Sequence, residues 1–235
     1  MTPPIEVDLW FVPLSGDSDA RDRAWSVLDA SEQTRADRFH FEADRGHYIF
    51  SHAALRTVLG RKLGQNPADL RFASGPSGKP GLIDSVAETL HFNLSHAGTH
   101  ALIGVNTLAP IGVDLESTTR DVEMSGIVDR FFAAPERAIW ERIPAAEHSA
   151  AFFRAWTRKE AYVKARGDGF SHDSSRYAVE FQQTKTARLI LDEIDPSAPA
   201  QYQLTPVVAP PGYEAACALR ISPDQALDLK IHSWP

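Results

Sequence analysis

With a single cysteine, Cys217, the chain cannot form an internal disulfide. The residues around it (EAACALRI) are apolar, which marks it as a core thiol. Long apolar runs are also missing: none approaches the roughly 20 residues that span a bilayer. The start, MTPPIEVDLWFVPL, lacks the basic residues and apolar stretch of a signal peptide. Neither a membrane nor secretion is expected, and the cytoplasm is the default location. Positive charge is short as well. There are 24 Lys and Arg against 31 Asp and Glu, a net charge of −7, which argues against nucleic acid as a partner.

What is present suits folding. At 235 residues and 43% hydrophobic, the chain can bury a substantial core as one large domain or two small ones. Charge is unevenly spread. Six basic residues face three acidic ones between Arg35 and Lys62, and five face Glu160 alone between Arg154 and Arg166. Such segments suit a small anionic ligand or an acidic protein partner, and equally an ordinary solvated helix face.

IEVDLWFVPL (5–14) alternates like a strand. Helical text runs from about Ala20 to Leu63, interrupted near Ser31 and Phe41, and Ser31 followed by Glu32 and Gln33 is able to start a helix. The breaker-rich ASGPSGKPGL (73–82) turns the chain. Strand text follows in LHFNLS, ALIGVN and PIGVDLE, and then helical text from about Met124 to Arg166, stopped by Gly167-Asp168-Gly169. The remainder reads as strands: YAVEFQ, ARLILDEI, QYQLTPVV, YEAACALRI and LDLKIHSW. The order strand, helices, strands therefore occurs twice, with a division near Ala109-Pro110. This predicts an α+β fold of two similar α/β lobes, 1–109 and 110–235, with a site between them.

In IGVDLE, alternate side chains share a face, so Asp114 and Glu116 point one way while Val113 and Leu115 point into a core. Two carboxylates about 7 Å apart along a strand suit a hard cation. Taken alone, they equally suit a strand with acids facing water. The segment AFFRAWTRKEAYVKARGDG (151–169) is less ordinary. Phe152, Phe153, Trp156, Glu160 and Lys164 form one helical stripe that turns from aromatic to charged. A surface Glu–Lys pair four residues apart is common, but it does not explain a pair that continues an aromatic stripe. A third acid beside Asp114 and Glu116, with a lysine near phosphates, does. Lys159 lies about 100° around the helix from Glu160 and is expected to matter less. HFNLSHAG (91–98) adds Asn93, Ser95 and His96 as donors to a phosphate, and GPSGKPG (75–81) offers glycine N–H groups and Lys79. It is not a Walker A loop, because Pro80 follows Lys79.

The ordered set GKP, FNLSH, GVDLE and WTRKEAYVK, together with EQTRADRF (32–39) and DRFFAAPE (129–136), resembles the Sfp-type 4′-phosphopantetheinyl transferases over most of the chain. The resemblance implies a two-lobed, monomeric pseudo-dimer; relatives about half as long assemble from separate chains. It implies transfer of 4′-phosphopantetheine from coenzyme A to a serine of an acyl- or peptidyl-carrier protein, with Mg²⁺ and release of 3′,5′-ADP. Its metal acids correspond to Asp114, Glu116 and Glu160, and its pyrophosphate lysine to Lys164. Glu160 is the first candidate for the base and Glu116 the second. Coenzyme A contacts correspond to Asn93, Ser95 and His96, to Gly78 and Lys79 at the adenosine end, and to Arg35 at the 3′-phosphate. Two positions depart from the family pattern: Glu32 and His47 stand where basic residues are usual. Against this reading stand an Mg²⁺-dependent phosphodiesterase or nucleotide hydrolase using the same acids, and a carrier-binding module without catalysis.

Overall fold

A computed structural model describes residues 3–74, 80–83, 90–167, 172–182 and 187–234. The first half contains β1 (Ile5–Pro13), α1 (Ser18–Ser26), α2 (Ala30–Ala36), α3 (Glu42–Leu63), β2 (Phe72–Ser74), β3 (Pro80–Leu82), β4 (His91–Ala97) and β5 (His100–Asn106). The second contains β6 (Ile111–Ser117), α4 (Met124–Phe131), α5 (Ala134–Trp140), α6 (His148–Arg166), β7 (Tyr177–Val179), β8 (Leu189–Asp192), β9 (Gln203–Val207), β10 (Tyr213–Leu219) and β11 (Leu227–Ser233). Every strand and helix read from the pattern has a counterpart. The breaks near Ser31 and Phe41 fall at the starts of α2 and α3.

Two sheets organise the molecule, one ordered β11-β1-β5-β4 and the other β6-β10-β9. Alternation in β1 turns Val7, Leu9 and Phe11 to one face, where they meet Val113 and Leu115 of β6 and Cys217 and Leu219 of β10 in a shared core. Cys217 is fully buried there, and burial pushes its thiol pKa up to about 12. The opposite face of the first sheet packs on α3 through Ala54, Leu55, Val58 and Leu59. The opposite face of the second sheet packs on α6 through Ala161, Tyr162 and Ala165. The sheets are not divided strictly at residue 109: β11 comes last in the chain but pairs in parallel with β1. No helix among the described residues is long and apolar enough to cross a membrane.

β4 and β6 belong to different sheets, and side chains bridge them. Asn93 Oδ1 accepts from the Val113 N–H at 2.9 Å, and Ser95 Oγ accepts from the Leu115 N–H at 3.3 Å. At the end of this seam the Thr99 N–H donates to the Tyr213 hydroxyl at 3.1 Å. Gly98 stands beside it at φ +51, and a Cβ there would come 2.9 Å from that hydroxyl.

Buried charge fixes both helical layers. The N-cap of α2 is Asp29, two residues before Ser31, because its carboxylate accepts from the Ser31 and Glu32 N–H groups and Glu32 closes a capping box. The guanidinium of Arg56, fully buried on α3, then donates to Asp29 Oδ2 and Glu32 Oε2, both at 2.6 Å. Glu32, acidic where a basic residue is usual, is thus a structural partner of Arg56.

Lys159 differs from its expected place. It is 1% exposed, and its ammonium donates to Glu136 Oε2 at 2.6 Å and to the Tyr177 carbonyl at 2.7 Å. Glu136 in turn accepts from the Ala133 and Val179 N–H groups. Helical angle alone gave Lys159 a lesser part than Glu160 and Lys164, but the angle turns it into the core rather than into water. Lys159→Ala would strand a buried carboxylate, so the unfolding free energy in urea should fall by roughly 3–5 kcal/mol. A loss under 1 kcal/mol would mean the pair is not closed in solution.

Candidate active site

The site is assembled where α6 crosses β6, and a glycine permits the crossing. A Cβ on Gly112 would lie 2.1 Å from the Ala161 carbonyl oxygen and 2.3 Å from the Ala165 nitrogen. Only a residue without a side chain lets the helix backbone sit directly on the strand. Asp114 and Glu116 share the face of Gly112, so both point towards α6. Glu160 and Lys164 flank Ala161 and Ala165 on the helix and complete the group.

Asp114 is buried, at 3% exposed. Its Oδ1 accepts from Lys164 Nζ at 2.6 Å and from Ser95 Oγ at 3.0 Å. Its Oδ2 is buried with no hydrogen-bond partner. Burial raises the Asp114 pKa against the pull of Lys164. Glu116, half-buried, is raised by burial and then by the charge of Asp114; Arg120, Lys164 and a hydrogen bond from the Trp156 indole oppose this. The Glu160 carboxyl is pushed up to about 7, first by burial and then by the charge of Asp114, with a smaller push from Glu116. The three acids therefore feel one another across the strand–helix junction. No group of three or more His, Cys, Asp or Glu side chains among the described residues is gathered closely enough to hold a metal ion as it stands. The cation on Asp114 is the ammonium of Lys164.

Basic groups border the acids on the side of the first lobe. His96 lies at the end of β4 with its side chain open to solvent on one side, and its pKa is lowered by desolvation against the surrounding protein and then by its basic neighbours His47, His52 and Lys164. His52 stacks on Tyr48 at 4.0 Å, and the Arg35 guanidinium lies over the same tyrosine ring at 5.6 Å. Arg35 also edges an open cavity of about 730 Å³ lined with Ser31, Thr34, Arg38 and Phe39. None of the three acids lines that cavity, which makes it a separate basic recess. Gly78 and Lys79 lie outside the described residues. Asn93 and Ser95 are buried and bonded across the seam between sheets.

Sequence reasoning missed three contributors. Trp156 was read as part of the aromatic stripe, yet its indole also lies close enough to Glu116 to lower that acid's pKa. Gly112 was passed over, although a glycine inside a strand signals close backbone approach. Glu214, the cross-strand neighbour of Glu116, is raised by burial and opposed by Arg154 and Arg158. Much of the basic segment 154–166 is consumed inside the fold: Arg158 donates to the Glu180 carbonyl, and Arg166 meets Tyr162 and Asp195.

Comparison with known proteins agrees with this geometry. Residues 110–218 match the model of the 4′-phosphopantetheinyl transferase superfamily, and residues 17–107 match that of the 4′-phosphopantetheinyl transferase N-terminal region. The 4′-phosphopantetheinyl transferase HetI of a Nostoc species is 39% identical over 71% of this chain and 70% of its own. Two Bacillus subtilis 4′-phosphopantetheinyl transferases, ffp and Sfp, are 30% and 27% identical, each over 94% of both chains. With relatives this similar in both halves and the acids of the second half gathered against α6, the chain belongs to the 4′-phosphopantetheinyl transferase superfamily.

Proposed function

We propose that the chain transfers the 4′-phosphopantetheine moiety of coenzyme A to a serine of an apo acyl- or peptidyl-carrier protein, with Mg²⁺, as a monomer in the cytoplasm. The observation that carries this reading is the group of Asp114, Glu116, Glu160 and Lys164 at the β6–α6 crossing, with one carboxylate oxygen of Asp114 buried and unpartnered.

The residues fit a divalent cation. Asp114 Oδ2 lacks a partner in a site where burial raises all three acids and the charge of Asp114 further raises Glu116 and Glu160, and added positive charge relieves both conditions. Asp114, Glu116 and Glu160 would hold it, and when bound it supplies charge neutralisation at the pyrophosphate. The protein's own groups do the rest. Lys164 pairs with pyrophosphate oxygens, and His96 and Arg35 hold phosphate groups nearer the nucleotide. Glu160 takes the proton of the carrier serine, directly or through a water, as its oxygen bonds to the β-phosphorus. The bond from that phosphorus to the bridging oxygen breaks, and 3′,5′-ADP leaves with the electron pair. Gly78 and Lys79 are assigned to the adenosine end by resemblance alone.

Four outcomes test this reading. Glu160→Gln keeps shape but removes a charge and a base, so kcat should fall by at least the roughly 10²–10⁴ typical of lost acid–base catalysis. Normal carrier modification by that variant, followed by intact mass spectrometry, would sink the mechanism. EDTA should stop wild-type turnover, and Asp114→Ala should abolish transfer and metal-dependent coenzyme A binding while the circular dichroism spectrum is kept. His96→Ala should raise the KM for coenzyme A more than it lowers kcat, as expected for binding shared by ground and transition states. A pure kcat effect would instead place His96 at the reacting phosphorus.

A further inference from the structure

The hydroxyl of Ser95 has no capacity left for a phosphate. A serine hydroxyl offers one donor and two acceptor positions. Ser95 Oγ donates to Asp114 Oδ1 at 3.0 Å, and accepts from Lys164 Nζ at 3.0 Å and from the Leu115 N–H at 3.3 Å. All three positions are filled by protein groups, and the side chain is buried at 6% exposed. Its main effect falls on Asp114. Oδ1 is held by two donors, Ser95 and Lys164, whereas Oδ2 is buried with none. A carboxylate clamped through one oxygen has a fixed ring of directions for the other.

We propose that Ser95 is a positioning residue. Its hydroxyl fixes Asp114 through Oδ1 so that Oδ2 faces the cation, and it does not itself contact coenzyme A. The inference rests on the metal reading above and assigns Ser95 a place behind the ligands. Outer partners of metal ligands are worth about 10–100-fold in metal affinity. The Leu115 N–H of β6 donates to this hydroxyl as well, so the same hydroxyl ties the seam between sheets to the orientation of one carboxylate.

The test separates metal binding from nucleotide binding. Free Mn²⁺ is measured by electron paramagnetic resonance without coenzyme A, and coenzyme A binding is measured by calorimetry in EDTA. Ser95→Ala should weaken Mn²⁺ about 10-fold or more, with coenzyme A affinity in EDTA within about 2-fold of wild type. Ser95→Thr keeps the hydroxyl and should recover most of the Mn²⁺ affinity. Asp114→Ala should abolish tight Mn²⁺ binding and serves as the reference. Weaker coenzyme A binding in EDTA with Mn²⁺ unchanged in Ser95→Ala would make Ser95 a phosphate contact and overturn the proposal. A fall in the unfolding midpoint alone, with both affinities unchanged, would reduce it to a packing role and also overturn it. Wild-type Mn²⁺ affinity in Asp114→Ala would overturn the metal reading itself, and this inference with it.

Discussion

The distance between α6 and β6 is the constraint on which the site depends. It is set by Gly112, above which the Ala161 carbonyl and the Ala165 nitrogen leave no room for a Cβ. A helix normally packs on a sheet through side chains that hold the backbones well apart. Here the backbone itself touches the strand, so Glu160 and Lys164 come within reach of Asp114 and Glu116. The small residues around the contact, Ala161, Ala165, Ala216 and Ala218, extend the same close fit along the helix.

Close approach brings an electrostatic burden. Burial opposes ionisation of all three carboxylates, and the charge of Asp114 adds to it at Glu116 and Glu160. Lys164 offsets part of this by sitting on Asp114. A buried ion pair contributes little net stability compared with apolar packing. The Lys159–Glu136 pair on the neighbouring face is the contrasting case: its charges bond to each other, to the Tyr177 carbonyl and to the Ala133 and Val179 N–H groups, and it ties α6 to α5 and β7. Consecutive residues of one helix, 159 and 160, thus serve opposite ends. One locks the helix into its lobe, and the other points out of it into the cleft.

Much of this was legible beforehand because period-2 and helical spacing are local properties. The alternation in IGVDLE placed Val113 and Leu115 in a core and turned Asp114 and Glu116 the other way, and the aromatic stripe on α6 correctly raised the question of Glu160 and Lys164. What depended on distant partners was not legible. Lys159 looked less important than Glu160 because nothing nearby in sequence announces Glu136, which lies in a separate helix. The bonds of Asn93 and Ser95 to β6 were not legible, because they run about 20 residues ahead through side chains rather than a regular ladder. Glu32 looked like a lost phosphate contact because its partner, Arg56, is a full helix away.

The parallel pairing of β1 with β11 has a consequence for synthesis. Ile5 to Phe11 lie against Leu227 to Ser233, so the earliest of these strands to be made waits for the last. Until then one edge of the first sheet has unpaired N–H and C=O groups, a template for wrong partners. Contacts this far apart in sequence also slow the search for the native topology. While the chain is still being made, the lobe that carries His96 and Arg35 is an unfinished sheet, and it closes only after the acids and Lys164 of the other lobe have been made.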